Sequence, residues 1–437
     1  MICRRLAGLL LVLSVAGCGA NDANQGPGDA SPLDAAPARS WRAPLQVSDA
    51  IDSKFARVAL DDFGNTLVAW TQVASPPMVM FTERHHSETW AGANWVADGA
   101  TTAEPSVAMN AHGDTVMAWV NKSTNLVEAR LRRAGSDWGP AMALSTTPTP
   151  TYVSAPVVGI DADGDGVVVW RAHWSGASPS TWVAGTRFDG ETNQWEPGQL
   201  ISSRGVGSLA LAIAPNGGGV VAWALPFEVR TANLGVLRGF ESEVRVAGSY
   251  SETIDLAVAT RDGGDAVVVW SSMNEAGLKV TAIRRIGTVW GTPVGLASAL
   301  QTAAIAPAVT MTRDGDVAAA WHDQTSAWIV TAAASDQWAV PRTLDGGGQV
   351  ASYPSLATDG AKQILAVWSQ GATSDVLRPH FSSYDTATGI WSTPRPIAPT
   401  GLPPVSRTVI AVNTAAEVLV AWWSAGSSAQ VWVSEFR

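Results

Sequence analysis

The sequence predicts an all-β fold, an eight-bladed β-propeller of four-stranded antiparallel blades, closed by an N-terminal strand that completes the last blade. Three observations predict it. One phrase recurs eight times, its copies stand about 50 residues apart, and a second phrase missing from the last unit stands ahead of the first.

The recurring phrase runs from small apolar residues through a polar turn with Gly to an apolar run ending in Trp. VALDDFGNTLVAW (58–70), VAMNAHGDTVMAW (107–119) and VGIDADGDGVVVW (158–170) are three copies. The terminal residues are Trp70, Trp119, Trp170, Trp223, Trp270, Trp321, Trp368 and Trp422, at spacings of 49, 51, 53, 47, 51, 47 and 54. That period suits a propeller blade and is too long for a solenoid turn.

Each unit offers four strands. The first is rich in Ala and Val, small enough for the crowded inner edge of a blade. The second is apolar on both sides, as in VVVW (167–170), which fits a sheet covered on both faces by its neighbours. The third alternates, as in LVEARLRR (126–133), KVTAIRRI (279–286) and QVWVSEF (430–436). The fourth begins at a Trp with Pro two or three residues on: Trp138 and Pro140, Trp195 and Pro197, Trp290 and Pro293, Trp338 and Pro341, Trp391 and Pro394. In the first unit Trp95 takes this place without the Pro, and in the fourth Phe240 stands in for the Trp. Proline is tolerated there because an outermost strand has a free edge.

The eighth unit stops at Phe436 and Arg437 after its third strand, while Trp41-Arg42-Ala43-Pro44 precedes the first repeat. The N-terminal strand is therefore expected to complete the last blade and leave no open seam. Tandem small β-sandwiches are the alternative, but about 50 residues per unit is thin for an independent core without disulfides. Seven or nine blades would require one unit to be misread.

Ahead of the repeats, Arg4 and Arg5 precede an apolar run from Leu6 to Val15, the layout of an export signal. The run is too short to span a bilayer. The tetrad Val15-Ala16-Gly17-Cys18 resembles the lipobox of bacterial lipoproteins. That resemblance implies cleavage before Cys18 and its acylation, with residues 1–17 as signal peptide. It also explains the otherwise unpaired thiol that an exported chain would keep once Cys3 had left. Several acyl chains would hold the protein to a membrane durably. Gly19 rather than Asp after the cysteine implies the outer membrane of the cell envelope. Residues 18–40 hold Gly, Pro, Ala, Asp and Asn with few large apolar side chains, and read as a flexible tether. Residues 41–437 form the single propeller domain.

The formal charge of −10 becomes −12 once Arg4 and Arg5 leave with the leader. Such a surface repels phosphate backbones, so nucleic acid is not expected as a partner. No G-x-S-x-G, P-loop or CxxC is present, and no cofactor is expected. Asp161-Ala162-Asp163-Gly164-Asp165-Gly166 begins like a calcium loop, but an EF-hand's twelfth position would be Ala172. Other repeats place DDFGN, NAHGD or APNGG there, so the segment reads as a hairpin turn and no metal is expected. His85 and His86 are adjacent and His112 falls in a turn, which is not metal-ligand spacing.

Asp-x-x-Gly followed by an apolar run and Trp resembles, distantly, the Asp-box of sialidases. The whole unit resembles the repeats of exported bacterial propellers of unassigned function. The sialidase likeness would imply three arginines on a carboxylate, a Tyr paired with Glu, and an acidic Asp. Arg57, Arg204 and Arg407 near blade starts, with Tyr152 and Tyr353 in inter-blade loops, are the residues available, although the Asp-to-Trp spacing exceeds that of the Asp-box. The expected binding face lies where second strands end and blades connect. It would carry Arg171, His173, Trp174, His322, Asp323, Trp423, Tyr152 and Tyr353, and aromatics beside charged groups suit a sugar or peptide ligand. The leading expectation is a non-catalytic binding or protein-interaction scaffold anchored by lipid. The alternative is a glycan-acting enzyme.

Overall fold

The computed structural model describes residues 39–437 except 97–101, 176–179, 203–204, 236–238, 249–251, 275–276, 298–304, 324, 336 and 348. The expected signal peptide, Cys18 and the expected tether up to residue 38 lie outside the described residues, as does Arg204. Among the described residues no helix is long and apolar enough to cross a membrane.

Eight antiparallel sheets form the ring. Blade 1 holds Ser53–Leu60, Thr66–Gln72, Met78–Arg84 and the short Asn94–Trp95 from the centre outward. The fourth strand is short throughout, and in four blades it is split into two pieces that both pair with the third, as with Gln194–Trp195 and Gln199–Leu200 of blade 3. First strands of successive blades touch one another, and those of blades 1 and 8 touch in the same way, so the ring closes.

Closure follows the expected route. Leu45–Gln46 pairs with Val431–Phe436 of blade 8, Leu45 opposite Val433, and Trp41 bridges to Phe436. The phrase after each fourth-strand aromatic has one backbone signature: the next residue donates its N–H to a third-strand carbonyl, as Gly139 does to Leu131 and Gly291 to Arg284. Arg42 does the same to Glu435 over 2.7 Å. In blade 1 the donor is Ala91, to Glu83, so the equivalent aromatic is Trp90 and not Trp95. The Arg84 guanidinium over the Trp90 ring matches Arg132 over Trp138 and Arg285 over Trp290. Trp95 instead pairs further back, opposite Met80.

Second strands are buried through their middles, and Thr66–Gln72 and Gly219–Leu225 along their whole length, because each is covered on both faces. All eight second-strand tryptophans are 3% exposed or less. Each apolar cluster draws on two adjacent blades. Val167, Val169 and Val183 of blade 3 pack with Val221, Trp223 and Ala232 of blade 4. Ala56, Val68 and Trp70 of blade 1 pack with Leu419, Ala421 and Trp423 of blade 8. The core is thus a set of layers between blades, and the closing seam has the same apolar filling as an internal one.

First strands carry a register break near their start, between Lys54 and Arg57, Ala103 and Ser106, Ser154 and Val157, Ile305 and Ala308, and Ser352 and Ser355. The extra residue is left-handed at Phe55 (φ 60°), Glu104 (57°), Ala155 (49°), Ala306 (52°) and Tyr353 (50°). Such a bulge bends the strand and re-aims one side chain. Here it recurs at one end of the ring.

Candidate functional site

The two ends of the ring are built differently. At one end lie the turns between first and second strands, where in several blades a single Asp or Asn side chain organises the loop. Asp61 Oδ1 accepts from the Phe63 and Asn65 amides, and Asp161 Oδ1 from the Asp163 and Asp165 amides at 3.0 and 2.8 Å. The Asp161 loop is therefore a hairpin turn whose leading carboxylate binds its own backbone. Burial raises the Asp161 carboxyl above its ordinary value, against these amide bonds and with the Asp165 and Asp163 charges adding to the rise.

At the other end the second strands finish and the first strands begin with their bulges. Blades 7, 8 and 1 enclose there a cavity of about 420 Å³ lined by Lys54, Phe55, Tyr353, Ser406, Arg407, Trp423, Ser424, Ala425 and Gly426. Phe55 and Tyr353 are 51% and 36% exposed, while Trp423 is almost buried between blades 8 and 1. Phe55 tilts toward Trp423 at 6.1 Å between ring centres. The Arg407 guanidinium stands over the Tyr353 ring at 5.5 Å, and the His322 ring of blade 6 tilts against the same tyrosine at 4.5 Å between ring centres.

Charge within this cluster is unevenly satisfied. Lys54 pairs with Asp52 at 2.9 Å, but neither Arg407 nor Arg57 makes an ion pair among the described residues. Arg57 Nη1 donates to the Ala56 carbonyl. Burial, and then the charge of Arg407, push the Arg57 guanidinium down to about 10. The His322 Nδ1–H donates to the Asp323 carbonyl, leaving Nε2 buried without a hydrogen-bond partner among the described residues. Burial holds that imidazole below its ordinary value, opposed by the Asp323 carbonyl bond and helped by Arg407. Asp323 itself is a loop organiser. Burial pushes its carboxyl up, but the Thr325 and Ser326 amides and the Trp328 indole outweigh burial and hold it below the usual range.

The other expected residues gather on blade 3. Tyr152 stacks on His173 at 4.2 Å and 6°, and Trp174 tilts against Trp182 at 5.2 Å. Both His173 nitrogens are engaged, with Ser154 Oγ and Thr181 Oγ1, and burial followed by Arg171 lowers its imidazole. Arg171 donates to the Gly207 carbonyl of the next blade, and Trp174 to that of Thr149. The eight expected residues thus share one end of the ring but split into two groups, on blade 3 and on blades 6 to 8.

The chain is similar to a lectin propeller. BP39L of Burkholderia pseudomallei superposes over 79% of this chain and 100% of its own, with a TM-score of 0.52 and 14% identity. Polysaccharide lyase Uly1 (TM-score 0.47, 10% identity, 90% and 91% of the two chains) is also similar. So is a K499G mutant of the NanB sialidase from Streptococcus pneumoniae (TM-score 0.40, 8% identity, 90% and 98%). No family model matches the chain, and no curated protein matches its sequence. At such identity the likeness to the lectin is one of fold, which does not choose a function.

Sequence reasoning did not single out Phe55 or Lys54. A signal existed for Phe55: it precedes Asp61 by six residues, as Tyr353 precedes Asp359. Both occupy the bulge position, where the repeat carries Glu104 and Ala155 elsewhere. Of the residues available for sialidase chemistry, Arg407 stands over Tyr353 and its charge acts on Arg57, Tyr152 lies four blades away, and Arg204 is outside the described residues.

Proposed function

We propose that this propeller is a non-catalytic carbohydrate-binding module whose ligand sits at the channel mouth between blades 7, 8 and 1. One observation carries the reading: exposed aromatic rings, Tyr353 and Phe55, border an open cavity together with the Arg407 guanidinium, which makes no ion pair among the described residues, and the hydroxyls of Ser406 and Ser424. The apolar face of a pyranose stacks on such rings, and its hydroxyls need donors and acceptors beside them. The described lining supplies cations, hydroxyls and rings but no carboxylate, which suits holding a sugar better than cleaving a glycosidic bond by a carboxylate pair. The Burkholderia neighbour is a lectin, the same class of activity. A glycan array probed with the purified chain tests this, with Tyr353→Ala expected to abolish the signal. Hydrolysis of a fluorogenic glycoside panel would instead favour a glycan-acting enzyme.

The Cys18 lipobox supports acylation and anchoring at the cell envelope, with the outer membrane as the proposed address. Cys18→Ala should release the protein from the membrane fraction. Unchanged retention would remove the lipid anchor from the proposal.

A further inference from the structure

Blade 4 departs from the repeat at its fourth strand. Where most units place a Trp and then a Pro two or three residues on, as in Trp290-Gly291-Thr292-Pro293, it reads Phe240-Glu241-Ser242-Glu243. Leu234 lies opposite Phe240, whereas Arg285 lies opposite Trp290 in blade 5. The smaller ring leans onto blade 3, where Gly185 leaves room for it: a Cβ there would lie 2.7 Å from the ring tip. The outer flank of this seam holds a cavity of about 460 Å³, whose lining includes Trp182, Gln199, Phe240, Glu241, Ser242 and Glu243. Its charged lining residues are two carboxylates and no cation, the reverse of the mouth, where Lys54 and Arg407 stand without a carboxylate. Glu241 is exposed, accepts from the Asn233 side-chain amide at 2.9 Å, and makes no ion pair among the described residues. Glu243 pairs with Arg230 at 3.1 Å, but that guanidinium also serves Glu228 at 2.9 Å, and Glu243 Oε2 has no hydrogen-bond partner among the described residues.

We propose that this cavity between blades 3 and 4 is a second saccharide site, taking a sugar unit that bears a free amine. It lies apart from blades 7, 8 and 1, so it stands or falls independently of the mouth. An ammonium group makes charge-assisted hydrogen bonds to carboxylates and is drawn to the faces of aromatic rings, and the lining offers both. The apolar face of the same pyranose would pack on Trp182, which Trp174 supports at 5.2 Å between ring centres. Gln199 and Ser242 add neutral donors and acceptors for its hydroxyls. Those neutral groups beside the rings favour a hydroxylated amine over a bare lysine side chain. The volume suits one or two sugar units of an open-ended chain. Blade 3 thereby gives a role to Trp174, which the sequence places on a binding face and the mouth leaves unused.

The test is calorimetry on the full chain with trisaccharides that differ at one position of each unit: the glucosamine trimer with free amines, its N-acetylated form, and cellotriose with hydroxyls there. The amine form is expected to bind at least about tenfold more tightly than the other two, the scale of one charge-assisted contact. Glu241→Gln, at an exposed position, should bring the amine form down to the affinity of cellotriose without moving the melting temperature. Trp182→Phe should weaken all three while keeping the order among them. The series is read again in Tyr353→Ala, in which the mouth no longer contributes. A preference that disappears there places the ligand at the mouth and overturns this site. Equal affinity for the three probes, or a preference that survives Glu241→Gln, overturns the amine-selective pocket. Trilysine binding as tightly as the amine form, with the same loss in Glu241→Gln, overturns the sugar in favour of a basic peptide. No binding of the glucosamine trimer overturns the second site and leaves the mouth standing.

Discussion

Arg84 donates its Nε–H to Glu435 Oε1 over 2.7 Å, joining the third strand of the first blade to the third strand of the last, with the two side chains 3% and 9% exposed. Arg84 also donates to the Gly64 carbonyl, and Glu435 takes a second partner in Arg437. Arg132 and Glu83 make the corresponding pair between blades 2 and 1. The seam where the chain ends meet is therefore locked by the same contact as an internal seam.

Because the pair is buried, losing one member strands the other charge. Arg84→Met is expected to cost about 3 to 5 kcal/mol, while Arg84→Met with Glu435→Leu should recover much of that loss. Urea unfolding of the single and double variants measures the coupling. Additive effects would mean that the pair does not secure the seam.

Trp170 is 1% exposed, and its indole N–H has no hydrogen-bond partner among the described residues. Its contribution is then packing alone. Trp170→Ala should destabilise by about 3 to 5 kcal/mol, and Trp170→Phe by clearly less, because no hydrogen bond is lost with the indole. Equilibrium denaturation reads both, and a Trp170→Ala variant that melted like the parent would contradict the inter-blade role.

Turns of adjacent blades are tied by side-chain amides. Asn413 Nδ2 donates to the Asp61 carbonyl at 3.0 Å, and Asn110 Nδ2 to that of Asp161 at 2.8 Å. Asn413→Ala leaves the buried Asp61 carbonyl short of a donor, and should cost about 1 to 3 kcal/mol. Amide hydrogen exchange in the 61–65 turn is expected to quicken in that variant.

Burial lowers His173, His322 and His380 below the ordinary imidazole value of 6.5. With folded values below the unfolded one, the unfolded chain takes up protons first as the solution is acidified. The stability held by the neutral rings is complete above 6.5 and is lost as pH falls through the lower folded values. The melting temperature should therefore fall on acidification below about 6.5, and His322→Gln should flatten part of that slope. An unchanged slope would show that His322 is not titrating in this window.

Much of the architecture was legible in the residues because it rests on local patterns. Trp70, Trp119, Trp170 and their counterparts mark the second strands by period alone, and every one is buried. The displaced Trp41 phrase foretold which blade the N-terminal strand completes. Assigning Trp95 in place of Trp90 shows where pattern fails: blade 1 lacks the proline, and only the Ala91 to Glu83 hydrogen bond distinguishes two nearby tryptophans.

The sequence by itself determined the ring, its eight units and its point of closure, since these follow from which residues repeat and must leave water. Tertiary structure alone decided the mouth. Phe55 meets Trp423, and the charge of Arg407 reaches Arg57, only because closure brings the two ends of the chain side by side. Whether an arginine there finds a carboxylate depends on distances across blades, which no local spacing encodes.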